Sequence, residues 1–192
     1  MVAKFNAIKL IKSEVELKSY SSSAGFLGYC NSKAIRFDKE CVDAFMNMLA
    51  LLVPDEIIVS SMRIHGDLKE HAQMYDLKKN DIHVRDRLIK QGLISHVALD
   101  DTNNCFHFCG SISKAALRDF ILYQTTIGAL PYHSFIINSD CELIIYPHDD
   151  CGLGFIISND KNIEDINNKL YKFSEQYFDI LEFHLKNDQV QV

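Results

Sequence analysis

Residues 131–158 read PYHSFIINSDCELIIYPHDDCGLGFIIS, three short apolar runs separated by stretches rich in Asp, Asn and Gly. Runs of four to six Ile, Phe, Leu and Tyr bounded by such residues are the signature of β-strands joined by tight turns. The spacing predicts a hairpin over 134–146 turning at Asn138-Ser139-Asp140, and a further strand over 154–158 after a turn at 148–152. Hairpins build antiparallel sheets. The rest of the chain has helices between the strands without the regular crossover rhythm of a doubly wound parallel fold, so the expected class is α+β, an antiparallel sheet built from hairpins with helices packed on it. With 192 residues, 47% of them apolar, one domain spanning residues 1–192 is expected.

Working outward, residues 113–127 follow a helical repeat, with Ala116, Leu117, Phe120 and Ile121 on one face and Gly128 beyond the end. Residues 95–109 suggest another hairpin turning through DDTNN. Asp38 is a suitable N-cap for a helix reaching Leu52, in which Val42, Phe45, Leu49 and Leu52 recur every three or four positions before Pro54. A strand is expected over 56–64, then two polar helices divided near Asn80, the second stopping at Gly92. Ser and Gly enrichment over 18–32 reads as a loop, and residues 3–11 suit a strand or a helix equally well. Towards the C-terminus, Ile163, Ile166, Leu170, Phe173, Tyr177 and Ile180 make a helical stripe behind an Asn162 cap.

The net charge is −6, and it is unevenly placed: residues 131–192 hold 11 acidic and four basic side chains, net −7, whereas residues 1–130 are net +1. Nucleic-acid binders cluster Lys and Arg, so a nucleic-acid partner is not expected. No run approaches the ~18 apolar residues needed to cross a bilayer, and the N-terminal stretch carries too much charge for a secretory signal, which predicts a cytoplasmic protein with no membrane partner. Six cysteines in such a chain are expected as free thiols.

Four groups of residues bear chemistry. Cys105, His107 and Cys109 alternate along one strand face, but alternate strand residues stand ~6.8 Å apart and the outer two ~13 Å. Thiolates sharing one zinc ion must approach within about 4 Å, so a packed sheet face is the better reading. His148-Asp149-Asp150 has the composition of a general base with its orienting carboxylate, or of oxygen ligands for a divalent cation, but Pro147 and Gly152 make it first a turn. The pairs Asp100-Asp101 and Asp149-Asp150, with Asp140 and Glu142, would form a negative patch if their turns share one end of the sheet, with His148 beside them and Tyr146 as an aromatic anchor. The fourth group, the remaining histidines, lacks the four-residue pairing of a helical metal site. No nucleophile elbow, phosphate-cradling loop or dinucleotide fingerprint occurs, so neither a cofactor nor enzymatic activity is expected.

The segment FIINSDCELIIYPHDDCGLGFIISNDKNIEDINNKLYKF resembles the C-terminal part of small acidic bacterial immunity proteins, the inhibitors encoded beside polymorphic toxins, contact-dependent growth inhibition toxins among them. The likeness lies in an Asp turn between two strands, the second with an aromatic residue near its end, then Asp149-Asp150-x-Gly152, a strand and a helix. It implies a non-enzymatic cytoplasmic protein that binds one basic toxin domain, often a nuclease, and occludes its active site. Two rival expectations stand beside it: a small metal-dependent hydrolase using His148, Asp149 and Asp150, and a regulatory or scaffold domain that dimerises through the apolar stripe of the C-terminal helix.

Overall fold

A computed structural model describes residues 2–32, 39–60, 83–93, 108–127, 133–138, 140, 142–148, 152–158, 163–174 and 178–183. The expected helix over 66–79, the hairpin over 95–107 and the Asp38 cap lie outside them. Among the described residues, seven strands form one antiparallel sheet: β1 Phe26–Ser32, β2 Glu56–Ser60, β3 Phe108–Gly110, β4 Ser134–Asn138, β5 Leu143–His148, β6 Gly152–Ile157 and β7 Phe178–Phe183. Their order is β3-β2-β4-β5-β6-β1-β7. The helices are α1 Val2–Glu14, α2 Lys39–Leu52, α3 Val84–Lys90, α4 Lys114–Leu122 and α5 Ile163–Ser174. The α+β class read from the sequence is the architecture found.

Alternation along each strand divides the core in two. Ile58, Ile136, Leu143, Ile145, Leu153 and Phe155 meet α2 to α5 on one face. Ile57, Val59, Phe135, Ile137, Ile144 and Ile156 meet α1 on the other. An antiparallel sheet with one wet face alternates apolar and polar residues, whereas two covered faces require unbroken apolar strands. That is why β4 reads SFIIN and β6 GLGFII, with every β6 residue buried.

The local devices are legible in the hydrogen bonds. Asn138 Oδ1 accepts from the backbone N–H of Glu142 at 2.8 Å and of Leu143 at 3.1 Å, closing the β4–β5 turn. Ser113 caps α4 by accepting from the Ala116 N–H at 3.2 Å. At the end of α3, Gly92 adopts φ +74°. The N–H groups of Gly92 and Leu93 return to the carbonyls of Ile89 and Leu88, satisfying the last turn. α4 does not run regularly to residue 127: its last stretch, Tyr123–Ile127, widens into a π-helical turn.

One open reading is decided and two expectations need correction. Residues 3–11, left between strand and helix, belong to α1, whose Ala7 and Ile11 are buried four residues apart, with Val15 buried just past its end. The supposed loop over 18–32 contains a 3-10 turn, Tyr20–Ser22, followed by β1. Gly28 is not a loop signal but the site of a bulge, with φ 143° and a register shift against β6 between Phe26 and Gly28. The extra residue lets Leu27 and Cys30 join one core and Phe26 and Tyr29 the other. Finally, the C-terminal helix stops at Ser174, and residues 178–183 form β7, paired antiparallel with β1.

Candidate functional site

Because neighbouring strands run antiparallel, each end of the sheet collects a fixed set of connections. The turn holding Asp140 and Glu142 joins β4 to β5 at one end; Asp140 is exposed and Glu142 half-buried. His148 closes β5 at the opposite end, where it pairs with Gly152. Six residue steps separate Glu142 from His148, ~20 Å along the strand.

The end marked by His148 also holds the described residues that flank the other acidic segments in sequence. Residues 149–151 leave β5 at His148 and re-enter the sheet at Gly152. Residues 94–107 leave from Leu93, whose carbonyl accepts from Ser60 Oγ at 3.4 Å. They return at Phe108, which is paired with the same Ser60. Asp100, Asp101, Asp149 and Asp150 lie outside the described residues, as do Cys105, His107 and Cys151; the described residues that flank the two Asp pairs in sequence, Leu93 and Phe108, His148 and Gly152, stand at this one end. In the same row, Gly152 faces Asn31 of β1, and Asn31 faces Asp179 of β7. Asn31 closes over Gly152 so tightly that a Cβ there would meet Asn31 Oδ1 and the Cys30 carbonyl. Of the eight candidate residues, Asp140 and Glu142 stand at the end of the sheet opposite the one that His148 closes.

Tyr146 is corrected outright as a surface anchor. It is 3% exposed and belongs to the core on the α1 face. Its ring lies over Gly154, whose missing side chain makes the room, and Tyr20 packs on it with ring centroids 4.4 Å apart. Tyr20 is hydrogen-bonded through its hydroxyl to His133 Nδ1 at 2.7 Å and sets its ring edge against Phe135 at 5.7 Å. Burial, then the neighbouring Tyr146, pushes the Tyr20 phenol above its ordinary range, and burial, then Tyr29, does the same for Tyr146. Both phenols stay protonated through the physiological range. Burial holds His133 below the usual imidazole value. Sequence reading missed this cluster because its members come from three segments, at Tyr20, His133–Phe135 and Tyr146, and no local spacing links Tyr20 to the others.

Among the described residues there is no group of three or more His, Cys, Asp or Glu side chains arranged to hold a metal ion. Nor is any of their helices long and apolar enough to cross a membrane. The apolar stripe of α5, once a candidate dimer surface, spends Ile166 and Leu170 on the core, leaving Tyr171 exposed. No protein family, curated protein or solved structure matches the chain.

Proposed function

We propose that this protein is a toxin-neutralising inhibitor of the immunity type, acting in the cytoplasm by docking on a basic toxin domain and covering its active site. The observation that carries this reading is that the described residues flanking the two Asp pairs in sequence, Leu93 and Phe108, His148 and Gly152, stand at the same end of the sheet. The net −7 of residues 131–192 supports it. Both sheet faces are committed to helices, so loops rooted at the sheet end are the natural contact elements, and their carboxylates suit the cationic cleft of a nuclease. A surface that imitates a phosphate backbone fills such a cleft without catalytic residues.

The test is capture of the protein encoded beside this gene, with association rates measured at two salt concentrations. Replacing Asp149 and Asp150 by Lys should slow association about tenfold or more at low salt and flatten its salt dependence. Replacing Asp140 and Glu142 by Lys, at the opposite end, should change it little. No complex with the neighbouring product, or equal effects from both pairs, would overturn the reading. Elemental analysis separates it from the hydrolase alternative, which requires a stoichiometric metal that His148→Ala loses.

A further inference from the structure

Four uncharged polar residues are buried close together where α4 ends against the sheet: Ser60, Gln124, Thr125 and Ser134. Ser60 closes β2 and pairs with Ser134, which opens β4. Each lies two positions from an isoleucine of the core beneath α2 to α5, Ile58 and Ile136, so both serines belong to that face. Gln124 and Thr125 sit in the π-helical turn Tyr123–Ile127. Gln124 Nε2 donates to Ser134 Oγ at 3.0 Å, Ser134 Oγ lies 3.3 Å from Ser60 Oγ, and Ser60 Oγ donates to the Leu93 carbonyl at 3.4 Å. An amide nitrogen only donates, so Ser134 accepts from Gln124 and its own proton turns to Ser60. The bonds then run one way, from the π-turn through β4 and β2 to Leu93. Thr125 Oγ1 donates at 2.7 Å to the Ile121 carbonyl, the group that a regular α-helix offers to the Thr125 N–H.

We propose that Gln124, Ser134 and Ser60 form a register pin that holds the π-turn against the sheet, and that without it the end of α4 rewinds towards a regular α-helix. Before the turn, α4 is fixed by Ala116, Leu117, Phe120 and Ile121, all buried in the core. A change of winding is therefore taken up by Gln124 and the residues after it, and a shift of one residue turns a helix by about 100°. That rotation carries Nε2 away from Ser134. Apolar neighbours resist it less, because hydrocarbon of the same volume packs in more than one arrangement. A chain of donors and acceptors, by contrast, closes in one geometry only. Its contribution is to choose between windings more than to add stability. The pin ends at Leu93, and Ser60 pairs with Phe108, so it also ties together the two described residues that flank Asp100-Asp101 in sequence.

The test compares Ser134→Ala with the double variant Gln124→Met, Ser134→Ala in the full-length chain, by thermal melts and hydrogen exchange. Ser134→Ala leaves the buried Gln124 amide without its acceptor and should melt several degrees below wild type. In the double variant that donor is gone, so the midpoint should return most of the way. Exchange over residues 123–127 should nevertheless be several-fold faster than in wild type, while residues 114–120 keep their protection. Stability regained without protection regained is what separates a pin from a bond that only stabilises. Ser60→Ala, which removes the next link, should speed exchange over the same residues. If Ser134→Ala does not fold, Gln124→Met alone is read for exchange in the same way. Wild-type protection over 123–127 in the double variant, or a double variant that melts no higher than Ser134→Ala, overturns the pin. The pin requires no toxin partner, so its failure leaves the inhibitor reading untouched.

Discussion

At the scale of single residues, two glycines decide how closely parts of this fold approach. A Cβ on Gly25 would run into the carbonyl of Ile157, whose own N–H donates to the Gly25 carbonyl at 2.8 Å. Backbone held by its own hydrogen bond cannot retreat. A Cβ on Gly154 would instead strike the Tyr146 ring, pinned from above by Tyr20. We expect Gly154→Ala to cost about 1–3 kcal/mol, as overpacking of a filled core does, and Gly25→Ala to cost at least as much, both read from urea denaturation. Gly28 and Gly92 act through backbone conformation, and only Gly92 was legible as such, because a glycine ending a helical pattern has one common use. Gly28 looked like a loop residue because its neighbours are Ser- and Gly-rich. The bulge becomes visible only when the β6 register is known.

At the scale of elements, helix α3 is joined to α4 by a forked ion pair: Arg87 Nε donates to Asp119 Oδ2 at 2.5 Å and Arg87 Nη2 to Oδ1 at 2.7 Å. The Asp119 side chain is 9% exposed and that of Arg87 41%. Removing the cation strands a buried carboxylate, so Arg87→Ala should destabilise by about 2–3 kcal/mol, tempered from the fully buried case by the exposure of Arg87. Arg87→Lys should recover only part, since an ammonium cannot reproduce the fork. Replacing both partners by Met and Leu should come close to wild type in thermal melts. Periodicity identified α2, α4 and the start of α5, yet it overran at the C-terminus. Phe173, Tyr177 and Ile180 keep helical spacing, but Phe178 and Ile180 also keep strand spacing, and β1 offers a pairing edge that β7 fills. A non-local hydrogen-bond ladder outweighed a local stripe.

At the scale of the whole molecule, the α1 face shows why strands β4 to β6 carry so little polarity. Phe135, Ile137, Ile144 and Ile156 need a cover, and α1 supplies it. Deleting residues 1–14 should leave that face open and convert the protein to self-associating species, visible by light scattering as mass above that of the intact chain at equal concentration. Retained mass would mean that another segment covers the face.

The amino-acid sequence alone determined that hairpin strands would form an antiparallel sheet, where most helices begin or end, and that the negative charge gathers in the last third. Those properties live in spacings of two to four residues, in caps and in side-chain chemistry. Only the tertiary structure decided that Tyr146 is core, that Tyr20 meets His133, and that Leu93, Phe108, His148 and Gly152 share an end of the sheet while Asp140 and Glu142 stand at the other. Strand order sets those neighbourhoods, and strand order arises from pairings between segments as far apart as β1 and β7, whose mutual fit no local pattern contains.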